Sequence, residues 1–207
     1  TMDDAQAIST LRARVIQSPA DAAALDALYA RLEPLGAEGA IRETIRLIEA
    51  SPMHEPRFTR SLLRALPAPQ ALNDAWRQTP AAEAQTPAGR LLRARLIALR
   101  EPAASEVALV SLLADHPGYT PALVAQIETL VQLGRVSEAD EALQSLDANA
   151  STDARYSKVL ALQAMQRYRE ARDVLGPLLP PAARREQADP MPVLRAAALS
   201  MRHSDFP

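Results

Sequence analysis

Residues 119–147 read YTPALVAQIETLVQLGRVSEADEALQSLD, and this stretch decides the fold of the chain. Leu123, Ile127 and Leu130 recur at steps of four and three residues, so they lie on one face of a predicted helix. Gly134 favours the left-handed backbone conformation that ends a helix, because it carries no Cβ atom. The stretch therefore predicts a hairpin of two short helices with its turn at Gly134.

Capping residues set the predicted ends of these two helices. Thr120 is predicted to cap the first helix, with Pro121 in the first turn, where a missing N–H costs least. Ser137 and Asp140, three residues apart, are similar to a capping box and are predicted to start the second helix. The apolar stripe of the second helix consists of Ala139, Leu143 and Leu146.

The sequence LGRVSEA at 133–139 resembles the inter-helix turn of the tetratricopeptide repeat (TPR) family and the small residue that follows it. A second predicted pair at 152–180 contains QRYREA at 166–171, which is similar to the same turn but has Gln166 in place of the glycine. Gly134 and Gln166 are 32 residues apart. This spacing is close to the TPR period of ~34 residues. The large apolar residues of the second pair are Val159, Leu162, Leu175 and Leu178.

The resemblance implies an all-α, right-handed superhelical solenoid of antiparallel helix pairs, covering residues 1–207 as one domain. An earlier, degenerate unit starts at Ser18 and turns at Gly36. Residues 79–88, rich in proline and alanine, are either a plain inter-helix loop or an internal joint. The chain ends without a clearly polar capping helix, which favours a fold that continues, or is capped, beyond Pro207. The predicted helices lie at about 4–17, 20–34, 38–50, 56–66, 68–78, 87–100, 103–115, two within 119–147, two within 152–180, and 191–202, with a short polar turn or helix at 182–188.

Composition favours helices and excludes several kinds of site. Hydrophobic residues make up 48% of the chain and aromatic residues only 3%, so small side chains that allow close helix packing dominate and no strands are predicted. Cysteine is absent, which excludes disulfides, thiol catalysis and thiolate metal sites. The net charge of −2 argues neither for nucleic acid nor for an anionic membrane surface, and no nucleic-acid partner is expected.

The sequence contains little information about location in the cell. No run of about 18 apolar residues is present, so no membrane span is predicted. The N-terminal residues TMDDAQAIS lack the basic and apolar regions of a secretory signal. The compartment stays open, with the cytoplasm slightly favoured over the periplasm.

The TPR resemblance also implies a concave groove, lined by the first helix of each pair, in which peptides or extended segments dock. The implied lining residues are Val124, Glu128, Val131, Gln132, Asp153, Tyr156, Leu160 and Gln163. This set lacks the Lys/Asn/Arg arrangement by which some TPR domains hold a C-terminal carboxylate, so that ligand is not predicted. The alternative is that these residues form ordinary surface with no ligand.

Arginines form two further stripes at helical spacing. Bidentate contacts from such stripes suit an acidic or phosphorylated peptide, but a solvated helix face is the favoured interpretation. The stripes consist of Arg57, Arg60 and Arg64, and of Arg93 and Arg100 with Arg90 nearby.

Patterns for catalysis and metal binding are incomplete. His203, Ser204 and Asp205 match half of a two-histidine, one-carboxylate iron site, but His54 and His116 lie in remote breaks between helices. The sequence has no HExxH, no Walker loop, no GxSxG and no GxGxxG. No metal, no cofactor and no enzyme activity are therefore predicted.

The sequence thus predicts a protein–protein interaction scaffold whose groove holds a peptide or a partner helix. One alternative is an accessory, substrate-presenting TPR-like domain of a larger bacterial enzyme or of a secretion or polysaccharide-export machine. Another is a homodimer formed through Leu194, Ala197 and Met201.

Overall fold

The computed structural model describes residues 2–66, 69–148 and 150–176, and its regular structure there is helical. The α-helices are α1 (Met2–Gln17), α2 (Ala22–Leu32), α3 (Gly36–Ala50), α4 (Glu55–Ala65), α5 (Pro69–Gln78), α6 (Ala81–Ala84), α7 (Pro87–Ala98), α8 (Pro102–Asp115), α9 (Thr120–Gln132), α10 (Val136–Gln144), α11 (Thr152–Ala164) and α12 (Tyr168–Leu175). These three ranges contain no strand, which confirms the predicted all-α class.

Several predicted elements fall outside these ranges. The predicted helices at 182–188 and 191–202 lie outside the described residues, as does the predicted second pair beyond residue 176. The same holds for Leu194, Ala197 and Met201 of the proposed dimer surface.

The chain divides into two compact units, Thr1–Leu96 and Ile97–Pro207, referred to below as unit 1 and unit 2. The boundary falls within α7, near its C-terminal end. Residues 79–88 lie inside unit 1, and their role as an internal joint stays a prediction.

In unit 1, helices α1 to α5 pack around α3. α3 contacts α1, α2, α4 and α5, and α2 also contacts α4. The amphipathic stripes of these helices meet in a core whose fully buried side chains include Leu25, Leu28, Ile41, Ile45, Ile48, Phe58 and Leu62. This pattern of consecutive helices covering each other is that of an α-solenoid.

Buried polar groups in unit 1 have partners. Tyr29 lies within the core, its hydroxyl 2.5 Å from Thr44 Oγ1, and it donates a hydrogen bond to the Phe58 carbonyl oxygen. Burial raises the pKa of the Tyr29 hydroxyl. Glu55 is fully buried and accepts hydrogen bonds from Arg95, the shortest of 2.9 Å, and from Thr59. The core therefore combines apolar packing with satisfied polar contacts.

Residues 79–88 are fastened tightly within unit 1. Glu83 of α6 accepts two hydrogen bonds from Arg42 of α3, of 2.9 and 2.7 Å. Thr86 Oγ1 accepts a hydrogen bond of 3.1 Å from the Gly89 N–H and so caps α7. A Cβ atom on Gly89 would lie 2.3 Å from the Glu83 carbonyl oxygen, so only glycine allows this approach. These contacts hold α6 against α3 and the start of α7 against α6.

In unit 2, helices α8 to α12 pack in order along the chain. α9 contacts α8, α10 and α11, and α11 contacts α12. The core between them contains Val124, Ile127, Leu130, Ala139, Leu143, Leu146, Val159, Ala161, Leu162, Ala171 and Leu175. Apart from Val124 and Ala161, the sequence predicts these residues at the apolar or small positions of the two hairpins.

The two inter-helix turns of unit 2 have the same backbone geometry. Gly134 has a φ of +73°, and Gln166 adopts the left-handed conformation too, with a φ of +59°. After each turn residue, an arginine N–H donates to a carbonyl of the preceding helix, from Arg135 to Leu130 at 2.9 Å and from Arg167 to Leu162 at 2.8 Å. Such bonds satisfy carbonyls that the helix end leaves open. The predicted turn at Gly134 is confirmed, and Gln166 forms its equivalent.

The predicted caps are mostly replaced by others. α9 begins at Thr120 itself, preceded by Tyr119, and no side chain caps it. Ser137 lies inside α10, which follows Arg135 without a side-chain cap. Besides Thr86, two side chains of the described residues cap helices: Asp21 accepts from the Ala24 N–H at the start of α2, and Ser151 accepts from the Ala154 N–H at the start of α11.

Candidate functional site

The predicted groove residues fall into two groups in unit 2. Val124 is 3% exposed and belongs to the core, so it is not available to a partner, and its assignment to the groove surface is wrong. Val131 and Leu160 are partly buried and pack against that core. These three side chains contribute mainly to holding α9 and α11 together.

The polar members of the set remain accessible. Gln132 is exposed, while Glu128, Tyr156 and Gln163 are half-buried. Glu128 and Gln132 are four residues apart on α9, and Tyr156 and Gln163 are seven apart on α11, so each pair shares a helix face. Asp153, in the first turn of α11, is exposed as well. We refer to Glu128, Gln132, Tyr156 and Gln163 as the α9–α11 surface.

Two arginines form matching ion-pair networks at the turns of unit 2. Arg135 pairs with Glu138 three residues later and lies 3.5 Å from Glu106 of α8. Arg167 pairs with Glu170 three residues later and with Asp140 of α10. Arg135 therefore links α10 to α8, and Arg167 links α12 to α10.

These networks perturb the titration of their members. The pKa of Glu138 is lowered, first because Arg135 donates hydrogen bonds to its carboxylate. The pKa of Glu170 is lowered by the hydrogen bonds from Arg167, with a smaller contribution from the charge of Lys158. The same bonds raise the pKa of Arg167. Glu138, Glu170 and Arg167 therefore keep their charges at neutral pH.

A cleft of about 400 Å³ opens between α10, α11 and α12, next to the second network. Leu143, Leu162 and Val174 provide its apolar floor. Its polar rim consists of Asp140, Gln144, Lys158, Arg167, Glu170 and Asp173. The sequence analysis did not identify this cleft, and none of the predicted groove residues lines it. The repeated spacing of arginine and glutamate, at 135/138 and 167/170, is the sequence signal that identifies its charged wall.

The arginine stripes of unit 1 are partly engaged within the protein. Arg57 donates a hydrogen bond of 2.8 Å to the Ala20 carbonyl oxygen. The guanidinium of Arg93 lies over the Trp76 ring, 5.3 Å from its centroid, in a cation–π contact. Arg60 and Arg100 are exposed, and Arg64 is exposed with its guanidinium 3.8 Å from Asp26. The exposure of Arg60, Arg64 and Arg100 fits the interpretation as solvated helix faces, whereas Arg57 and Arg93 make contacts within unit 1.

The described residues contain neither a metal-type cluster of side chains nor a membrane-spanning helix. No cluster of histidine and acidic side chains suited to a metal occurs in the part that the structure describes, and His203, Ser204 and Asp205 lie outside it. Among the described helices, none is both long enough and apolar enough to span a bilayer.

Comparison with known proteins supports the repeat interpretation. Residues 96–163 match the family model described as tetratricopeptide repeat. Searches of curated proteins and of solved structures found no match. The matched stretch covers α8, α9 and α10 and nearly all of α11. Residues 96–163 are therefore similar to tetratricopeptide repeats, a class of helical repeat that serves as a protein–protein interaction module and is typically non-catalytic.

Proposed function

We propose that unit 2 is an interaction module that binds an extended segment of a partner protein across the α9–α11 surface. The observation that carries this proposal is the direct packing of α9 on α11, although α10 lies between them in sequence. This packing sets the first helices of two successive pairs side by side, which is where TPR-like modules bind peptides.

The chemistry of the surface favours an uncharged polar or mildly apolar segment. Gln132 and Gln163 each offer a donor and an acceptor for a peptide backbone, and Tyr156 offers a ring with a hydroxyl. Glu128 is the only charge of the surface as we define it. Side-chain hydrogen bonds to main-chain groups would fix the register of the segment, while Val131 and Leu160 supply apolar contact beneath it.

Peptide display tests this proposal with the full 207-residue chain as the target. Peptides enriched by selection are synthesised, and their affinity is measured by fluorescence anisotropy. Replacing Gln132→Arg and Gln163→Arg together is expected to weaken binding at least tenfold, because two bulky charges then occupy the surface. The matched control is Gln17→Arg with Gln78→Arg, two exposed positions of unit 1 that add the same charge.

The outcome separates this surface from the rest of the chain. If enriched peptides bind the Gln132→Arg, Gln163→Arg double variant as tightly as the unchanged chain, the α9–α11 surface is ruled out as their binding site. Peptides weakened equally by both double variants would show that added charge, rather than the surface, controls binding.

A further inference from the structure

We propose that the cleft between α10, α11 and α12 binds an arginine side chain of a partner protein. This site is separate from the α9–α11 surface, so the inference goes beyond the proposed function and does not depend on it. Four properties of the cleft support it: its volume, its apolar floor, its charge balance and the engagement of its own cations.

The size and floor of the cleft fit one long side chain. About 400 Å³ lies near the lower end of the ~300–1,000 Å³ range of ligand pockets. Leu143 and Leu162 are almost fully buried, so the floor is rigid. An arginine has an apolar stem that can lie on such a floor while its charged head stays at the rim.

The rim has an excess of negative charge. The carboxylates of Asp140, Glu170 and Asp173 outnumber the cations Lys158 and Arg167 by one. Asp173 is exposed, and within the described residues it has no ion-pair partner. A cation that enters the cleft would therefore meet a carboxylate that is not already neutralised.

The two cations of the rim are occupied, which disfavours an anionic ligand. Arg167 is shared between Asp140 and Glu170, and Lys158 donates a hydrogen bond of 3.0 Å to the Leu146 carbonyl oxygen. Asp140 and Glu170 still keep about half of their side-chain surface exposed, at 47% and 54%. Oxygens of these carboxylates and of Asp173 are thus the accessible charged acceptors.

Arginine suits this rim better than lysine. The guanidinium is planar and presents several N–H donors, so it can contact two carboxylates at once. Arg167 already makes this kind of contact at the same rim, with two hydrogen bonds to Glu170 of 2.7 and 2.6 Å. A second guanidinium, from the partner, would reach Asp173 from the solvent side.

A small probe tests the chemistry without knowledge of the partner. The full chain, labelled with ¹⁵N, is titrated with N-acetyl-arginine methylamide, and the backbone amides of Leu143, Gln144, Asp173 and Val174 are followed by NMR. We expect saturable shifts of these amides, with a dissociation constant on the order of millimolar for so small a ligand. The neutral isostere N-acetyl-citrulline methylamide is expected to bind at least fivefold more weakly.

Isosteric variants assign the binding to Asp173. Asp173→Asn is expected to weaken the arginine probe at least threefold. The matched control Glu141→Gln removes one exposed carboxylate of α10 that does not line the cleft, and it is expected to leave affinity unchanged within error. Both substitutions are at exposed positions, and the unperturbed part of the NMR spectrum verifies the fold.

Three results would overturn the inference. The first is equal binding of the arginine and citrulline probes, and the second is shifts confined to α9 and α11. The third is tighter binding of the probe after Arg184→Gln with Arg185→Gln, because the chain's own arginines would then be the occupant. The groove variants Gln132→Arg and Gln163→Arg serve as a check, since they should not change the affinity of this probe.

Discussion

At the scale of single residues, the two turns of unit 2 place different amino acids in the same backbone conformation. Gly134 adopts a positive φ without steric cost, whereas Gln166 carries a Cβ atom in that region. The left-handed conformation costs a residue with a side chain roughly 1–2 kcal/mol. The turn at Gln166 therefore forms because the surrounding helices impose it.

Exchanging the residue types tests this cost. Gly134→Ala is expected to lower the free energy of unfolding by about 1 kcal/mol, and Gln166→Gly to raise it by a few tenths to about 1 kcal/mol. A Cβ atom on Gly134 would meet nothing within 4 Å, so the loss is conformational. Urea denaturation followed by circular dichroism measures both changes.

Gly118→Ala is the control for this pair. A Cβ atom on Gly118 would also enter open space, but the φ of this residue lies outside the left-handed region. The substitution should therefore not destabilise the chain. A loss at Gly118 as large as that at Gly134 would contradict the backbone explanation.

At the scale of helices, ion pairs of similar geometry differ in burial. Glu55 of α4 is fully buried, and the Arg95 side chain of α7 that it binds is 14% exposed. Arg135 makes a comparable pair with Glu138, but both side chains are well exposed. Water screens the second pair and lets each charge remain solvated when its partner is removed. Only the first pair leaves an uncompensated buried charge when it is broken.

Neutralising one arginine of each pair tests this difference. Arg95→Gln is expected to lower the free energy of unfolding by about 3–5 kcal/mol, because Glu55 is left buried without its counter-charge. Arg135→Gln is expected to change stability little. Denaturation midpoints of the two variants and the unchanged chain give the comparison, and equal losses would show that burial is not the deciding factor.

The sequence predicts the helices of this fold better than their ends. Apolar residues at steps of three and four, such as Ile127 and Leu130, identify α9 because periodicity survives in any helical packing. The caps predicted at Thr120 and Ser137 were wrong because α9 and α10 begin at Thr120 and Val136, so both side chains lie within their helices. Local sequence fixes the end of a helix only to within one or two residues.

The candidate sites are predictable only in part. The TPR resemblance placed Gln132 and Gln163 at accessible positions, but it also placed Val124 on the surface. Val124 is buried because α9 packs on several neighbours and so buries more than one face. The cleft beside Arg167 depends on side chains from three helices. Tertiary packing brings these side chains together, and no local sequence pattern specifies it.

At the scale of the whole molecule, carboxylates with lowered pKa values occur in both units. The pKa of Glu83 is lowered first by the hydrogen bonds from Arg42, and those of Glu138 and Glu170 by their turn arginines. A carboxylate with a lower pKa in the folded state stabilises the fold at any pH above its pKa in the unfolded state. Acid therefore acts on both units through the same kind of contact.

The pH dependence of stability follows from these signs. We expect the contribution of these carboxylates to the free energy of unfolding to stay nearly constant from pH 7 to pH 5. The free energy of unfolding should then fall as the pH drops below 4.5, the ordinary pKa of glutamate, because the unfolded chain binds protons at a higher pH than the folded chain does. Urea midpoints measured at pH 7, 5, 4 and 3 test this.

A double variant shows whether the turn carboxylates contribute. Glu138→Gln with Glu170→Gln should lose less stability between pH 5 and pH 3 than the unchanged chain, because two of the titrating groups are gone. High salt should also reduce the difference in acid sensitivity between the double variant and the unchanged chain, since both ion pairs are exposed to screening. An acid profile that the double variant leaves unchanged would assign the effect to other groups.

The turn networks also bear on how such a chain changes length during evolution. A duplicated copy of residues 136–167, inserted after Arg167, would start with a glutamate three positions after that arginine, as Glu170 does now. The copy of Asp140 would meet the copy of Arg167 one helix pair later, so every charge of the turn networks would keep a counterpart. A single gene duplication could therefore add a whole helix pair while keeping both turn networks intact.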